Sequence, residues 1–126
     1  MSREIKFRAW DIIAKRMLSW GDIFSLPAWE IFPGTPEQRP FEVMQYTGKR
    51  DTKDQEIYES DIIECEYKNG ETWRGVVKWG IGEPSFFIIR NDVKSCNCYS
   101  VNYGGGYVKR YEVIGNIYEN PELLPK

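Results

Sequence analysis

The 126-residue chain contains no histidine. This removes the usual general base of serine and cysteine nucleophiles and the commonest neutral metal ligand. Catalysis would have to rest on carboxylates alone, and the expectation is a protein that is not an enzyme. Cysteine is scarce too. Cys65, Cys96 and Cys98 are an odd number without a secretory context, so reduced thiols are expected rather than a disulfide framework. Cys96-Asn97-Cys98 offers two thiolates, but a structural zinc needs four ligands, so no metal and no cofactor are expected. No run approaches the roughly 18 apolar residues that span a bilayer. The first residues do not read as a targeting leader. The cytoplasm is the expected compartment, with no membrane partner.

Phosphate loops and calcium loops are missing as well. Tyr103-Gly104-Gly105-Gly106-Tyr107 lacks the lysine and hydroxyl that complete a phosphate cradle, and Gly48-Lys49-Arg50 lacks the upstream glycine. Asp51, Asp54, Glu56, Glu59 and Asp61 are acidic, but their spacing is not that of an EF-hand. They read as a solvated turn, with Asp61 accepting backbone hydrogen bonds at a strand entry.

What is present is an ordinary globular composition with many rings. The mass is 14.8 kDa, hydrophobic residues make up 41% and charged residues 29%, which suits one domain over residues 1–126 rather than a disordered chain. Aromatic residues reach 15%, including five tryptophans. The net charge of −2 is unevenly spread: residues 1–20 carry five bases against two acids, and residues 21–62 carry nine acids against four bases. An acidic total disfavours a protein whose main task is to coat nucleic acid, although a local basic patch is compatible with it.

The patterning is mainly β. Ile5, Phe7 and Ala9 alternate with Lys6, Arg8 and Trp10, the period of a half-buried strand, and Met17 to Trp20 can return as its hairpin partner. Residues 21–40 hold four prolines and read as a loop with at most a short element around residues 28–32. Residues 41–46 read as a strand, 47–55 as a turn and 56–58 as a short strand. Then Ile63, Cys65 and Tyr67 alternate with Glu64 and Glu66, and Asn69-Gly70 signals a tight hairpin. Strands are expected at roughly 61–67, 72–80, 85–90, 98–103 and 107–118. Five short strands suit a small SH3-like barrel, whose closure removes exposed edges. Asn120 as a cap, Pro121 in the first helical position and Glu122 beside it predict a short C-terminal helical turn, anchored by Leu123 and Leu124.

Three ordered segments carry a family likeness. They are Met44-Gln45-Tyr46-Thr47-Gly48, then Glu56-Ile57-Tyr58-Glu59-Ser60-Asp61-Ile62-Ile63, then Glu112-Val113-Ile114-Gly115-Asn116-Ile117-Tyr118-Glu119-Asn120-Pro121-Glu122-Leu123-Leu124. With the basic, aromatic opening from Arg3 to Asp11 followed by Met17, they make the chain resemble the YopX family, small proteins encoded mainly by phages and prophages of Gram-positive bacteria. Ser60 stands where that family usually has glycine. The resemblance implies a lineage without an activity. It also implies an opening hairpin followed by a variable loop, so that, with the barrel read from the strands, the expected division is a hairpin and loop subregion over residues 1–46 and a small barrel over residues 47–126.

The functional hint in the residues themselves is basic-plus-aromatic. Lys6, Arg8 and Trp10 share a strand face, while Tyr103, Tyr107, Lys109 and Arg110 gather near the end. Rings beside cations suit base stacking next to phosphate, but rings also enrich cores and subunit interfaces. Trp20 and Trp29, with Phe24 and Phe32, fall outside the barrel, so covering them is a task for another molecule. The expected function is therefore a non-enzymatic, oligomeric protein-interaction module. It would form a dimer or trimer and contact an unidentified host or phage protein. A nucleic-acid-associated module using the same surfaces is the alternative.

Overall fold

A computed structural model describes residues 4–31, 34, 39–79, 86–90, 93–97 and 108–124. The fold is mainly β. The chain divides into two compact units, Met1–Tyr46 and Thr47–Lys126.

In the first unit, β1 (Phe7–Asp11) lies between β2 (Arg16–Leu18) and the start of β3 (Phe41–Arg50), antiparallel to both. The β1–β2 turn is built by Asp11, whose Oδ1 accepts from the amides of Ile13 (3.1 Å) and Ala14 (2.9 Å) while its carbonyl accepts from Lys15 (2.8 Å). Such aspartate turns satisfy backbone donors that a two-stranded ladder leaves over. Leu18 ends β2 because Ser19 serves as a helix cap. Its hydroxyl accepts from the Asp22 amide, and the Asp22 carboxylate accepts from the Ser19 amide, a reciprocal capping box. Helix α1 (Trp20–Phe24) follows, where a loop was expected. Its signal, Ser-x-x-Asp before an apolar residue, was legible in the sequence. Helix α2 (Ala28–Ile31) occupies the short element expected around residues 28–32. Ile23 and Ile31 from these helices meet Ala9, Leu18 and Phe41 of the strands in one apolar cluster, bordered by Phe7, Trp20, Leu26 and Val43.

The second unit begins with the rest of β3, which continues to Arg50 rather than ending at residue 46. Strand β4 (Glu56–Tyr58) returns, and the Thr47 hydroxyl donates to the Ile57 carbonyl at 2.8 Å across the pair. A five-stranded antiparallel sheet follows: β5 (Asp61–Tyr67), β6 (Thr72–Trp79), β7 (Phe86–Arg90), β8 (Val93–Asn97) and β9 (Val108–Asn116), in the order β8-β7-β6-β5-β9. The Asn69-Gly70 hairpin forms over residues 68–71 as expected, with Gly70 at φ +92° and the Asn69 side chain accepting from the Glu71 amide. Val93–Asn97 pairs antiparallel with β7, Arg90 opposite Val93, while the strand expected near 98–103 lies outside the described residues. The sheet is a curled half-barrel. Among the described residues no ladder joins β8 to β9, so the hydrogen bonding does not draw a closed barrel.

Ile63, Cys65, Trp73, Val77, Ile88 and Tyr111 project to one side of this sheet and bury Ile57 of β4 with them. Each fully covered aliphatic chain in such a cluster contributes about 1.5–3 kcal/mol relative to exposure, so these six residues with Ile57 dominate the stability of the unit. Glu64, Arg74 and Arg110 are only partly buried and join in ion pairs, as the strand alternation requires. At the C-terminus a 3-10 turn spans Pro121–Leu123. Asn120 does not cap it. Its Oδ1 accepts instead from the Asn116 amide at 3.3 Å, and Leu123 and Leu124 are half-buried rather than buried.

Candidate interaction surface

Strand β1 carries Arg8 and Trp10, and Lys6 stands just before it, but not as a free basic-aromatic face. Lys6 folds over the Tyr46 ring, with Nζ 5.1 Å from the centroid, and pairs with Glu4 at 3.5 Å; its side chain is 17% exposed. Arg8 and Trp10 are half-buried, Trp10 opposite Met17 on one side and Glu42 on the other. Trp20 is half-buried as well. It packs between Phe7 (5.9 Å) and Phe24 (5.6 Å, edge-on), and so belongs to the border of the apolar cluster. Trp29 differs, with 57% of its surface exposed.

The cations predicted near the end of the chain are separated from one another in character. Lys109 is exposed. Arg110 is engaged by three carboxylates: Glu66 at 2.7 Å, Glu64 at 3.2 Å and Glu112 at 3.5 Å. Its hydrogen bonds to Glu64 and then to Glu66 raise the guanidinium above its ordinary pKa. Glu64 is held below the usual carboxylate range, first by its hydrogen bond from Arg74 (3.0 Å) and then by that from Arg110. An arginine in this setting gains little from a phosphate, because binding one would forfeit existing charge-assisted bonds. Tyr103 and Tyr107, like Phe32, lie outside the described residues.

The large apolar groups left open cluster in the first unit: Ile5, Ile12, Ile13, Phe24 and Trp29, with Ile13 at 78% and Phe24 at 72% exposure. In the second unit the described counterpart is Trp79 at 50%. Ile12 and Ile13 escaped sequence reasoning because a turn was expected to be polar; two consecutive isoleucines inside it were the available signal.

The family-like segments, and the turn between the first two of them, perform structural work. Asp51 is buried, with Oδ1 accepting from the Lys53 and Gln55 amides and Oδ2 from the Val113 amide at 2.8 Å, so it ties the β3–β4 turn to the edge of β9. Thr52 adds a second tie, donating from its amide and hydroxyl to the Tyr111 carbonyl. Asp61 is buried and accepts from the Tyr58 amide at 2.7 Å. Asn116 accepts from Tyr118 and Glu119 and donates to Glu119. The side-chain oxygens of Asp51, Asp61 and Asn116 accept from backbone amides and so hold turns in place. Ser60 takes φ +70°, so the turn before Asp61 keeps a left-handed residue even with serine in place of glycine.

Among the described residues, no group of three His, Cys, Asp or Glu side chains could hold a metal ion. No described helix is long and apolar enough to cross a membrane. An open groove of about 420 Å³ runs between Glu64, Thr72 and Arg74 and the tail residues Glu122 to Leu124. Its basic group is committed, since Arg74 also donates to the Leu123 carbonyl at 3.0 Å and pins the tail there.

The arrangement defines a small β protein whose buried polar residues hold turns and whose apolar exposure, among the described residues, is concentrated in its N-terminal unit. Residues 6–125 match the model of the YopX protein family, and the chain belongs to that family. No curated protein matches it. Three solved chains do. One of them is protein EF1440 from Enterococcus faecalis, a crystal structure 29% identical to this chain, with a TM-score of 0.62 over 98% of this chain and 100% of its own.

Proposed function

We propose that the protein is a non-enzymatic, oligomeric protein-interaction module of phage type, acting in the host cytoplasm, whose first unit supplies the contact surface. The observation that carries this reading is the exposure of Ile5, Ile12, Ile13, Phe24 and Trp29 within a unit of only 46 residues. Open apolar groups at that density mark interaction sites on folded proteins. The second unit is the scaffold. Its strand order, a meander whose last strand returns beside the first, supports relating it to SH3-like barrels. Arg110 and Arg74 are already matched to carboxylates, which argues against a phosphate-binding face there.

Light scattering after gel filtration at about micromolar concentration tests the reading, since specific assemblies persist in that range. The expected result is a dimer or trimer. A 14.8 kDa monomer that shifts with short single-stranded oligonucleotides, and loses the shift as salt rises, would replace it with the nucleic-acid alternative.

A further inference from the structure

The exposed apolar groups of the first unit are not scattered. The Ile12 amide donates to the Pro40 carbonyl at 3.0 Å, and the Arg39 amide donates to the Glu30 carbonyl at 2.8 Å. These two bonds bring the tip of the β1–β2 hairpin, carrying Ile12 and Ile13, beside the end of α2, carrying Trp29. The three residues between α1 and α2 are constrained as well, with Leu26 donating to Ile23 and Glu30 to Pro27, and Phe24 ends α1 immediately before them. The hairpin tip is pre-formed, because the Asp11 carboxylate holds the Ile13 and Ala14 amides. Ordering it on contact costs little.

We infer that Ile12, Ile13, Phe24 and Trp29 form the face on which a second copy of this chain packs, in a two-fold contact that sets the hairpin tip of each copy against the helical segment of the other. This rests on the oligomeric reading above and names its surface. Area is the first argument. Covered aromatic rings bury about 150–250 Å² each, so at the observed exposures the two rings and two isoleucines offer roughly 500 Å² per copy, or about 1,000 Å² for both, where specific interfaces begin. Charge is the second. The acids bordering the face are already satisfied within the chain: Glu30 pairs with Arg39 at 3.1 Å, and the Asp22 carboxylate is held by the Ser19 amide, which lowers its pKa. Covering the face therefore buries no unmatched carboxylate, the cost that most often defeats such contacts. A self-complementary patch also closes on itself, as identical chains usually do.

The test is sedimentation equilibrium of the full chain and of three variants, Ile13→Ser, Trp29→Ser and Trp79→Ser. Each substitution is at an exposed site and leaves the thermal melt in place. The expected outcome is that Ile13→Ser and Trp29→Ser each weaken self-association by about 10-fold or more, while Trp79→Ser does not. If the wild-type chain self-associates and both first-unit variants do so equally well, this face is wrong and the oligomeric reading stands. If the wild-type chain is monomeric up to about 100 µM, both fail, and the face belongs to a foreign partner.

Discussion

Replacing Ser60 by glycine should stabilise the second unit, and the structure sets the size of the effect. Ser60 sits at φ +70° in the turn between β4 and β5. A left-handed residue with a Cβ costs about 1–2 kcal/mol, while the extra freedom of glycine in the unfolded chain returns about 0.5–1 kcal/mol of that. The net gain is about 0.5–1 kcal/mol. Nothing else is lost, because the recorded hydrogen bonds of Ser60 are made by its backbone: its amide donates to the Val77 carbonyl at 2.8 Å and its carbonyl accepts from the Ile117 amide at 3.0 Å. Urea titration of wild type and Ser60→Gly should show a higher midpoint at unchanged slope, and a melting temperature raised by about 2–4 °C. Ser60→Val, with a branched Cβ in the same conformation, should shift the midpoint the other way. If glycine leaves the midpoint unchanged or lowers it, the serine is not strained and the reasoning fails.

Gly115→Ala should destabilise by about 1–3 kcal/mol, as overpacking does, because a Cβ there would stand 2.5 Å from Asn120 Oδ1 and 2.9 Å from its Cβ. Adding Asn120→Ala should restore part of the loss in a denaturation series, and a wild-type midpoint for the single variant would refute the contact. The Glu64 carboxyl has a folded pKa below its unfolded one, so the stability it contributes is complete above the unfolded value of about 4.3 and is lost as pH falls through the folded value. Urea midpoints measured from pH 6 down to pH 3 should therefore fall more steeply for wild type than for Glu64→Gln; parallel curves would show the Arg74 and Arg110 bonds to be without effect. Deleting residues 121–126 removes two half-buried leucines and the carbonyl that Arg74 holds. The expected cost is about 1–2 kcal/mol, less than the 2–5 kcal/mol of fully buried leucines, and calorimetry distinguishes the two.

Most of the second unit was legible because its strands obey a period of two and its first hairpin has a turn type that demands particular residues. Ile63 and Cys65 point inward, Glu64 outward, and Asn69-Gly70 turns the chain, each for a reason local to a few residues. The first unit was harder to read. Four prolines made residues 21–40 look irregular, yet the helix of Trp20–Phe24 needs only one turn and a capping box, and both precede the first of those prolines. The candidate surface was read through residue type alone, which cannot distinguish an available cation from a committed one. Arg8 occupies the strand position expected and Lys6 stands just before the strand, but Lys6 lies over Tyr46, and Arg110 is surrounded by carboxylates that come from 44 and 46 residues earlier in the chain. No local pattern contains those pairings; they follow from the register of β9 on β5, where Arg110 lies opposite Glu66. Ile12 and Ile13 were visible all along, but their exposure depends on Asp11 holding the turn open to solvent.

On the reading proposed above, the contact surface lies away from the buried polar residues that hold the turns. Thr47, Asp51, Asp61 and Asn116 are each nearly inaccessible and each binds backbone groups of another segment or of its own turn. Removing one partner would leave a buried polar group unmatched, at about 1–3 kcal/mol, so their identity is dictated by folding whatever the protein contacts. The exposed residues of the hairpin tip and helical segment are under no such constraint. Ile13 and Phe24 contribute almost nothing to the folded core at 78% and 72% exposure, and a serine at either site would cost the isolated chain little. On the proposed reading, large apolar side chains held open on a pre-formed turn and a capped helix find their physical rationale outside the single chain. The fold supplies the rigidity, and the first unit supplies the surface on which recognition is proposed to occur.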